Sequence, residues 1–536
     1  MPRSPTNSTV SKPGSWKSIL AAGAAAMILA GAAGAQAKMF RLAINADATT
    51  LDPHAQNSQG NFSVLLQAYE PLVGRDHALK PVPALATRWE AVEPTRWRFT
   101  LRPNVKFHDG ASFTADDVVF SYKRALSPTS NVTIYIDSVS DIVRVDDLTV
   151  DIITKYPDAV LPEKMSRIFI MNKAWSEANK VTLPQNMAAK EETFAIRNMN
   201  GTGPFSLKSR DSETRTVLLR NAAYWGQIEG NVTEYHHVPI VADATRIAAL
   251  LSGDVDIVIN VPPNDVARLK SDSRIKIIEA QENRTMFFGF DQKKDELQFS
   301  NVKAKNPFKD ARVREAIAHA IDVDVIIRRV LRGQGIASGS MWTHFVNGWD
   351  KDIEQTRGPV DRDKAKKLLA DAGYPNGFQV TLDCPTGTYD EVCVAVAPML
   401  AQIGIDVKVN VIPPAQMFPR IIRGETSFYG LTWGVPTYDA MYTLRGIMMT
   451  REKVGGGSWN GGGYSNAGVD SLIEQAQIEP NPDKRRQLIK DAHRLHNEEV
   501  GHLPMYHLMI PWAMGAKITA PHRADNQLEI RYVKVD

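Results

Sequence analysis

Few residue groupings in this chain have the types and spacing to carry out a reaction. Ser273-x-x-Lys276 and Ser300-x-x-Lys303 set a hydroxyl three residues before an amine, the S-x-x-K spacing of some acyl-transfer enzymes, but no S-D-N or K-T-G accompanies them. Two matches of so short a pattern are expected by chance in 536 residues. His236-His237, His493-x-x-His496 and His502-x4-His507 are the densest imidazole groups. A zinc protease also needs the glutamate base of H-E-x-x-H, which is absent, so these histidines read as structural or surface residues, with no metal site. No G-x-S-x-G elbow, P-loop, or G-x-G-x-x-G after a strand occurs. Two cysteines are too few for a four-cysteine zinc site or an iron–sulfur cluster. What remains suits holding a molecule rather than changing it. Tyr389, Trp433, Tyr438, Trp459 and Tyr464 fall in predicted loops near glycines, where rings can stack on an apolar or sugar-like ligand, with core packing as the alternative for each. Trp342 is a further aromatic candidate. Asn57 and Ser58 follow an Asp-Pro-His segment and can donate hydrogen bonds, or simply form a polar turn. Arg284 and Arg445 are candidate partners for an anionic group, with solvated surface as the alternative.

Strand and helix patterns alternate throughout, which predicts mixed α/β layers. Residues 40–44 read as a first strand and 62–69 as a helix. Trp97, Phe99 and Leu101 alternate with polar residues, as a half-buried strand does. Thr114-Ala-Asp-Asp117 reads as a helix start with acids in the first turn. Runs at 142–145 and 150–153 flank Asp146-Asp147 as a hairpin, and 71–199 reads as one compact insertion. A strand pair runs from Thr202-Gly203-Pro204-Phe205 to 217–219. A helix over 242–251 stops at Gly253, and the apolar run 255–259 reads as a strand buried on both faces. The helix 364–372 ends at Gly373, the strand 378–382 follows, the helix 392–402 ends at Gly404, and 405–412 is a strand. That order predicts a parallel strand pair. Gly455-Gly-Gly457 and Gly461-Gly-Gly463 bracket Trp459, which predicts a mobile loop or close backbone approach.

Charge and the leader set the compartment. Lys+Arg exceeds Asp+Glu by 63 to 60. Arg3, Lys12 and Lys17 supply that excess within an acid-free stretch, residues 1–37. The remaining chain is balanced, which gives no support for a nucleic-acid partner. Residues 1–37 read as a secretory signal peptide: a basic start, an apolar run from Ile19 to Gly34, then Ala35-Gln36-Ala37 as the cleavage pattern. The apolar run is shorter than the roughly 20 residues that span a bilayer; an uncleaved anchor is the alternative. The absence of Cys near the cut argues against a lipid-anchored form. The mature chain is expected from Lys38, outside the cytosol. In an oxidising compartment Cys384 and Cys393, nine positions apart, favour a disulfide over two separate buried thiols.

An ordered set of short stretches carries a resemblance. Thr50-Leu-Asp-Pro-His54 is followed by Tyr69-Glu-Pro-Leu-Val73, Pro83-Ala-Leu-Ala86 with Trp89, and Leu101-Arg-Pro-Asn-Val-Lys-Phe-His-Asp-Gly110. Then come Phe113-Thr-Ala-Asp-Asp-Val-Val-Phe-Ser121, Gly201-Thr-Gly-Pro-Phe205, Tyr224-Trp225, Val313-Arg-Glu-Ala-Ile317 with Ala320-Ile-Asp322, and Lys366 to Tyr374. Together they resemble the periplasmic substrate-binding proteins of ABC transporters, solute-binding family 5 (peptide/nickel/opine-binding type). The resemblance implies an α/β two-lobed clamshell of the type II periplasmic-binding-protein class, with an extra domain inserted in the first lobe. After the signal peptide 1–37, lobe I would comprise 38–70, 200–283 and 500–536, the inserted domain 71–199, and lobe II 284–499. It implies a monomer without cofactor that takes a peptide or peptide-like solute by hinge closure and delivers it to a membrane permease with a separate ATPase.

Many peptide binders of that family place an Asp three residues after a lobe II Trp to pair the ligand amine. Here Trp433-Gly-Val-Pro436 puts Pro at that position, and Asp439 is the nearest acid, with a turn or helix-cap role as its alternative. The loop expected to supply an Arg for the ligand carboxylate, Pro385-Thr-Gly-Thr-Tyr389, has none. The same transport role with an opine, sugar conjugate or metal chelate is therefore the alternative within the family. A secreted peptide hydrolase is the rival of another class.

Overall fold

The structure is a computed structural model that describes residues 38–387, 389–451 and 456–536. The leader 1–37 and part of the first Gly triplet lie outside these residues. Its centre is one large mixed sheet, built around two unusually long strands, Ile275–Phe290 and His502–Gly515, which pair antiparallel along most of their length. Their outer ends serve different neighbours. On one side His502–Gly515 pairs with Ile257–Val258, and the sheet continues through Met39–Ile44, Glu234–Pro239, Arg215–Arg220 and Phe205–Asp211. On the other side Ile275–Phe290 pairs with Phe428–Gly434, then Phe378–Pro385 and Ile405–Ile412 follow. Each half of the sheet has its own buried clusters. Phe40, Leu65, Tyr235 and Trp512 lie in the first half, and Phe288, Ile317, Val396 and Phe428 in the second. We call these halves the first and second lobes.

Inside the first lobe a separate antiparallel sheet, ordered Ala86–Glu93, Arg96–Leu101, Thr149–Thr154, Val139–Asp146, packs with the helix Ala115–Ala125 around Phe99, Val118, Tyr122 and Ile152. The helix begins where the sequence reading places it: Thr114 caps it, its backbone N–H donating to Asp117 Oδ2 (2.9 Å). The expected hairpin forms, from Val139–Asp146 to Thr149–Thr154. Gly253 and Gly373 sit at positive φ just past their helices, where a side chain would be strained. Phe378–Pro385 and Ile405–Ile412 run parallel, as the helix–strand–helix–strand order requires. Val255, Ile257, Val258 and Ile259 are buried, but only Ile257–Val258 joins the sheet. Asp256, just before this pair, is turned aside to accept from the backbone and guanidinium N–H groups of Arg41.

The segment Thr50–His54 serves the fold rather than a ligand. Asp52 and Arg124 are both fully buried, and Arg124 Nη1 and Nη2 donate to Asp52 Oδ1 and Oδ2 at 2.7 and 2.6 Å. Gln185 N–H adds a third bond to the carboxylate (2.9 Å). Burial opposes ionisation of Asp52, but Arg124 outweighs it and holds its pKa below the usual value. Burial, with Arg124 adding to it, pushes the neighbouring His54 down to about 3, so the imidazole is neutral at pH 7. The pair ties the start of the chain to the inserted module. Asp52→Asn would leave a buried guanidinium without its counter-charge, so the expected loss of stability is about 3–5 kcal/mol. Urea denaturation followed by fluorescence checks this, and an unchanged midpoint would contradict it.

Cys384, at the end of a sheet strand, is joined by a disulfide to Cys393 in the following helix. Both are buried. The bridge closes a loop of about ten residues, worth roughly 3 kcal/mol through the unfolded state. Reduction under non-denaturing conditions should lower the denaturation midpoint of the second lobe, as seen by comparing oxidised and reduced samples.

Candidate ligand cleft

The two long strands do not keep one register. Gln281 pairs with Met509 and Thr285 with His507, so Glu282, Asn283 and Arg284 together face the single residue Leu508. Such an irregularity bends the strand and redirects side chains. It lies at the junction of the lobes, and cavities open beside it. The first, of about 270 Å³, is lined by Asn57, Ser58, Phe62, Tyr135, Arg167, Glu282, Arg284, Phe418, Trp433, Pro436, Tyr438, Tyr442, Trp459 and Asp525, among others. The second, of about 700 Å³, shares Gln59, Glu282, Arg284 and Thr432 with it and adds Tyr389, Thr386 and Asn260. Contacts between the lobes frame the first cavity. Asn283 Nδ2 donates to Val435 O (2.9 Å), the Tyr438 hydroxyl to Asp525 Oδ2 (3.2 Å), and Arg445 Nη1 to Asp137 Oδ2 (3.2 Å).

One wall is aromatic. Trp433 stacks on Tyr442 with ring centroids 5.2 Å apart and meets Trp459 edge-on at 5.8 Å; Phe418 meets Trp459 at 5.7 Å. Trp433 Nε1 donates to Thr443 Oγ1 (3.1 Å), which holds the indole in place. Trp433 lies on the strand Phe428–Gly434 rather than in the loop expected, and at 7% exposure it belongs to a core cluster as well as to the cavity. The opposite wall is polar. Asn57 Oδ1 accepts from the Tyr135 hydroxyl (2.7 Å), and the Ser58 hydroxyl donates to Asn61 Oδ1 (2.8 Å) at the start of the helix Gln59–Ala68. Arg284 Nε stands 3.3 Å from Glu282 Oε2, and this carboxylate is the main reason its pKa is raised. Burial raises the pKa of Glu282, and Arg284 draws it partly back.

The structure thus brings Asn57, Ser58, Arg284, Trp433, Tyr438 and Trp459 to one cavity, with Tyr389 beside Arg284 in the adjoining one. Tyr438 sits at positive φ (57°), with the Arg75 guanidinium 4.5 Å from its ring centroid. Asp439 is a correction. It is 1% exposed, and Arg485 grips both its oxygens (2.7 and 2.9 Å), with Asn347 Nδ2 (2.9 Å) and Met441 N–H (3.0 Å) adding further bonds. A carboxylate so committed inside its own lobe has no place for a ligand ammonium. Trp342, 1% exposed and stacked on His493, and Tyr464, whose hydroxyl donates to Glu499, are core residues. Arg445 is engaged with Asp137 and Tyr156. Glu282, Arg167, Tyr135, Tyr442 and Asp525 were not found from the sequence. The only signal was the charged, amide-rich run Glu282-Asn283-Arg284 interrupting two apolar strand patterns; Arg167 carried none.

Residues 80–453 match the family described as bacterial extracellular solute-binding proteins, family 5 (middle). The chain belongs to this family. As a solute-binding protein it captures rather than transforms, and it acts outside the cytosol. It is 26% identical to heme-binding protein A of Haemophilus influenzae over 453 residues, 79% of this chain and 78% of that one. It is also 26% identical to the glutathione-binding protein GsiB of Pectobacterium atrosepticum over 491 residues, 88% and 89% of the two chains. A periplasmic binding protein of Helicobacter pylori, associated with an ABC transporter and solved with the peptide STSA, superposes with a TM-score of 0.76 at 23% identity, covering 93% of this chain and 98% of the other. The fold is accordingly the two-lobed clamshell, and the cavities at the strand irregularity lie where its lobes meet. Trp459 is the aromatic residue best suited to test the wall, because it is only half-buried and supports less of the core than Trp433. Trp459→Ala is expected to weaken ligand capture by more than ~1 kcal/mol with little change in melting temperature. Isothermal calorimetry alongside thermal denaturation would show it, and unaltered affinity would place the ring outside the contact surface.

Proposed function

We propose that this solute-binding protein captures a peptide or peptide-like solute between its lobes in the periplasm and presents it, by hinge closure, to the membrane permease of an ABC importer with a separate ATPase. Residues 1–37 act as the cleavable export signal, and the protein works as a monomer. Lobe I is 38–70, 200–283 and 500–536 with the inserted domain 71–199, and lobe II is 284–499. Asn57, Ser58, Arg284, Tyr389, Trp433, Tyr438 and Trp459 contact the solute. The observation that carries this reading is the position of the cavity. It opens beside the three-residue break in register between the strands joining the lobes, so a molecule bound there touches both lobes and stabilises their approach.

The cavity's composition supports a peptide-like solute. An aromatic wall suits side chains, and a polar wall with charges of both signs suits termini and backbone amides. One relative is named for glutathione, itself a tripeptide, and the Helicobacter pylori structure holds a tetrapeptide. These favour a peptide over an opine, sugar conjugate or metal chelate. Family membership removes the hydrolase reading. Native mass spectrometry of freshly purified protein should show a non-covalent mass that disappears on denaturation and fragments as a peptide. Small-angle scattering with and without saturating peptide should show a smaller radius of gyration in the bound state. Identical scattering curves together with no retained or added peptide would overturn the proposal.

A further inference from the structure

The anchors by which peptide binders of this family grip ligand termini are missing here: Pro436 stands at the amine-binding position, the loop Pro385-Thr-Gly-Thr-Tyr389 lacks an arginine, and Asp439 is closed off by Arg485. Two other charges face the first cavity incompletely partnered. Glu282, on the strand irregularity, is 4% exposed, and its Oε2 is buried without a well-formed hydrogen bond among the described residues. Its one ionic neighbour is Arg284, 3.3 Å from Oε2. An ionised carboxylate accepts about four hydrogen bonds, and a buried oxygen left short of them is costly. Asp525 adds a second negative charge near enough to oppose ionisation of Glu282. Arg167 is the counterpart. Its guanidinium lies over the Phe62 ring, 4.6 Å from the centroid, and donates no hydrogen bond to any described residue. Its nearest carboxylate, Asp525 at 3.8 Å, is already taken by the guanidinium of Arg523 (2.5 and 3.1 Å).

Compare the buried charges outside the cavity. Asp52 with Arg124, and Asp439 with Arg485, are bidentate and fully bonded. Lone-pair and N–H capacity left open on both signs of charge, in one cavity, matches a ligand that brings both signs.

Resting on the peptide reading above, we infer that Glu282 receives the ammonium group of the solute and Arg167 its carboxylate. The ligand class is thus a zwitterion with a free amine, an unblocked short peptide. The amine anchor has moved from a lobe II loop to the strand that joins the lobes, so binding the amine acts at the hinge itself. Arg284 favours the charged form of Glu282, and the rings of Trp433, Tyr442 and Trp459 contact the solute between its charged ends.

The test uses the mature full chain and a mixed tripeptide library in three forms: unmodified, N-acetylated, and C-terminally amidated. Captured peptide is read by native mass spectrometry and competition. The wild-type protein should hold the unmodified library at least about tenfold more tightly than either blocked form. Glu282→Gln should lose about tenfold for unmodified peptide and no longer distinguish the acetylated library, yet still prefer free to amidated C-termini. Arg167→Gln should show the mirror pattern. Equal capture of acetylated and unmodified peptides by the wild type would overturn the inference whatever the variants do. So would a Glu282→Gln protein that keeps the wild-type preference for free amines. Capture from none of the three libraries would overturn the peptide reading, and this inference with it; capture without discrimination would overturn the inference alone.

Discussion

Two continuous strands belong to both lobes at once, and the rest of the molecule follows from that constraint. Ile275–Phe290 and His502–Gly515 supply a backbone ladder to each half of the sheet, so the lobes cannot separate, only bend. The ladder between them is broken most widely where Glu282, Asn283 and Arg284 face Leu508 alone. Backbone groups freed from the ladder there need other partners. Asn283 finds them on both sides, its N–H on Ala524 and its amide on Val435 and Thr343. The same departure from regular pairing points Glu282 and Arg284 into the cavities. On the proposed function, flexibility and recognition share this local irregularity.

Charge is handled in two ways within this framework. Away from the cavity, several buried ions are closed into hydrogen-bonded sets. Asp52 with Arg124 and Gln185, Asp439 with Arg485 and Asn347, and Arg75 with Glu163 (2.7 Å) are examples. Each joins segments distant in sequence and stiffens a lobe. Beside the cavity, Glu282 and Arg167 are left with capacity. Burial makes such capacity unfavourable in isolation and correspondingly favourable to fill, so a solute that completes these sets gains from groups the protein has already desolvated.

Much of the local structure was legible before any coordinates. Thr114 and Asp117 announce a helix start because their side chains and backbone solve the end problem locally. Gly253 and Gly373 announce helix ends because positive φ is a local requirement. The parallel pair Phe378–Pro385 and Ile405–Ile412 follows from an intervening helix of known length. The sheet order was not legible, since Ile275–Phe290 and His502–Gly515 lie more than two hundred residues apart in the chain. Nor was the fate of Trp433, whose glycine- and proline-rich surroundings read as a loop although its backbone pairs with Thr285. The candidate site was legible by neighbourhood more than by role: most of the named aromatics and polar residues reach the cavity, while Asp439 does not.

By itself the sequence determined the family, the absence of a G-x-S-x-G elbow, P-loop or H-E-x-x-H motif, and which positions lack the usual terminal anchors. Those are properties of residue identity and short spacing. Only the tertiary structure decided which charges are already satisfied. Asp439 looks as available as Glu282 on paper, but Arg485, forty-six positions away, folds back onto the first with two short hydrogen bonds, while Oε2 of the second is left without one among the described residues. Whether an ion is open to a ligand depends on partners that reach it through space, and chain order does not encode those distances.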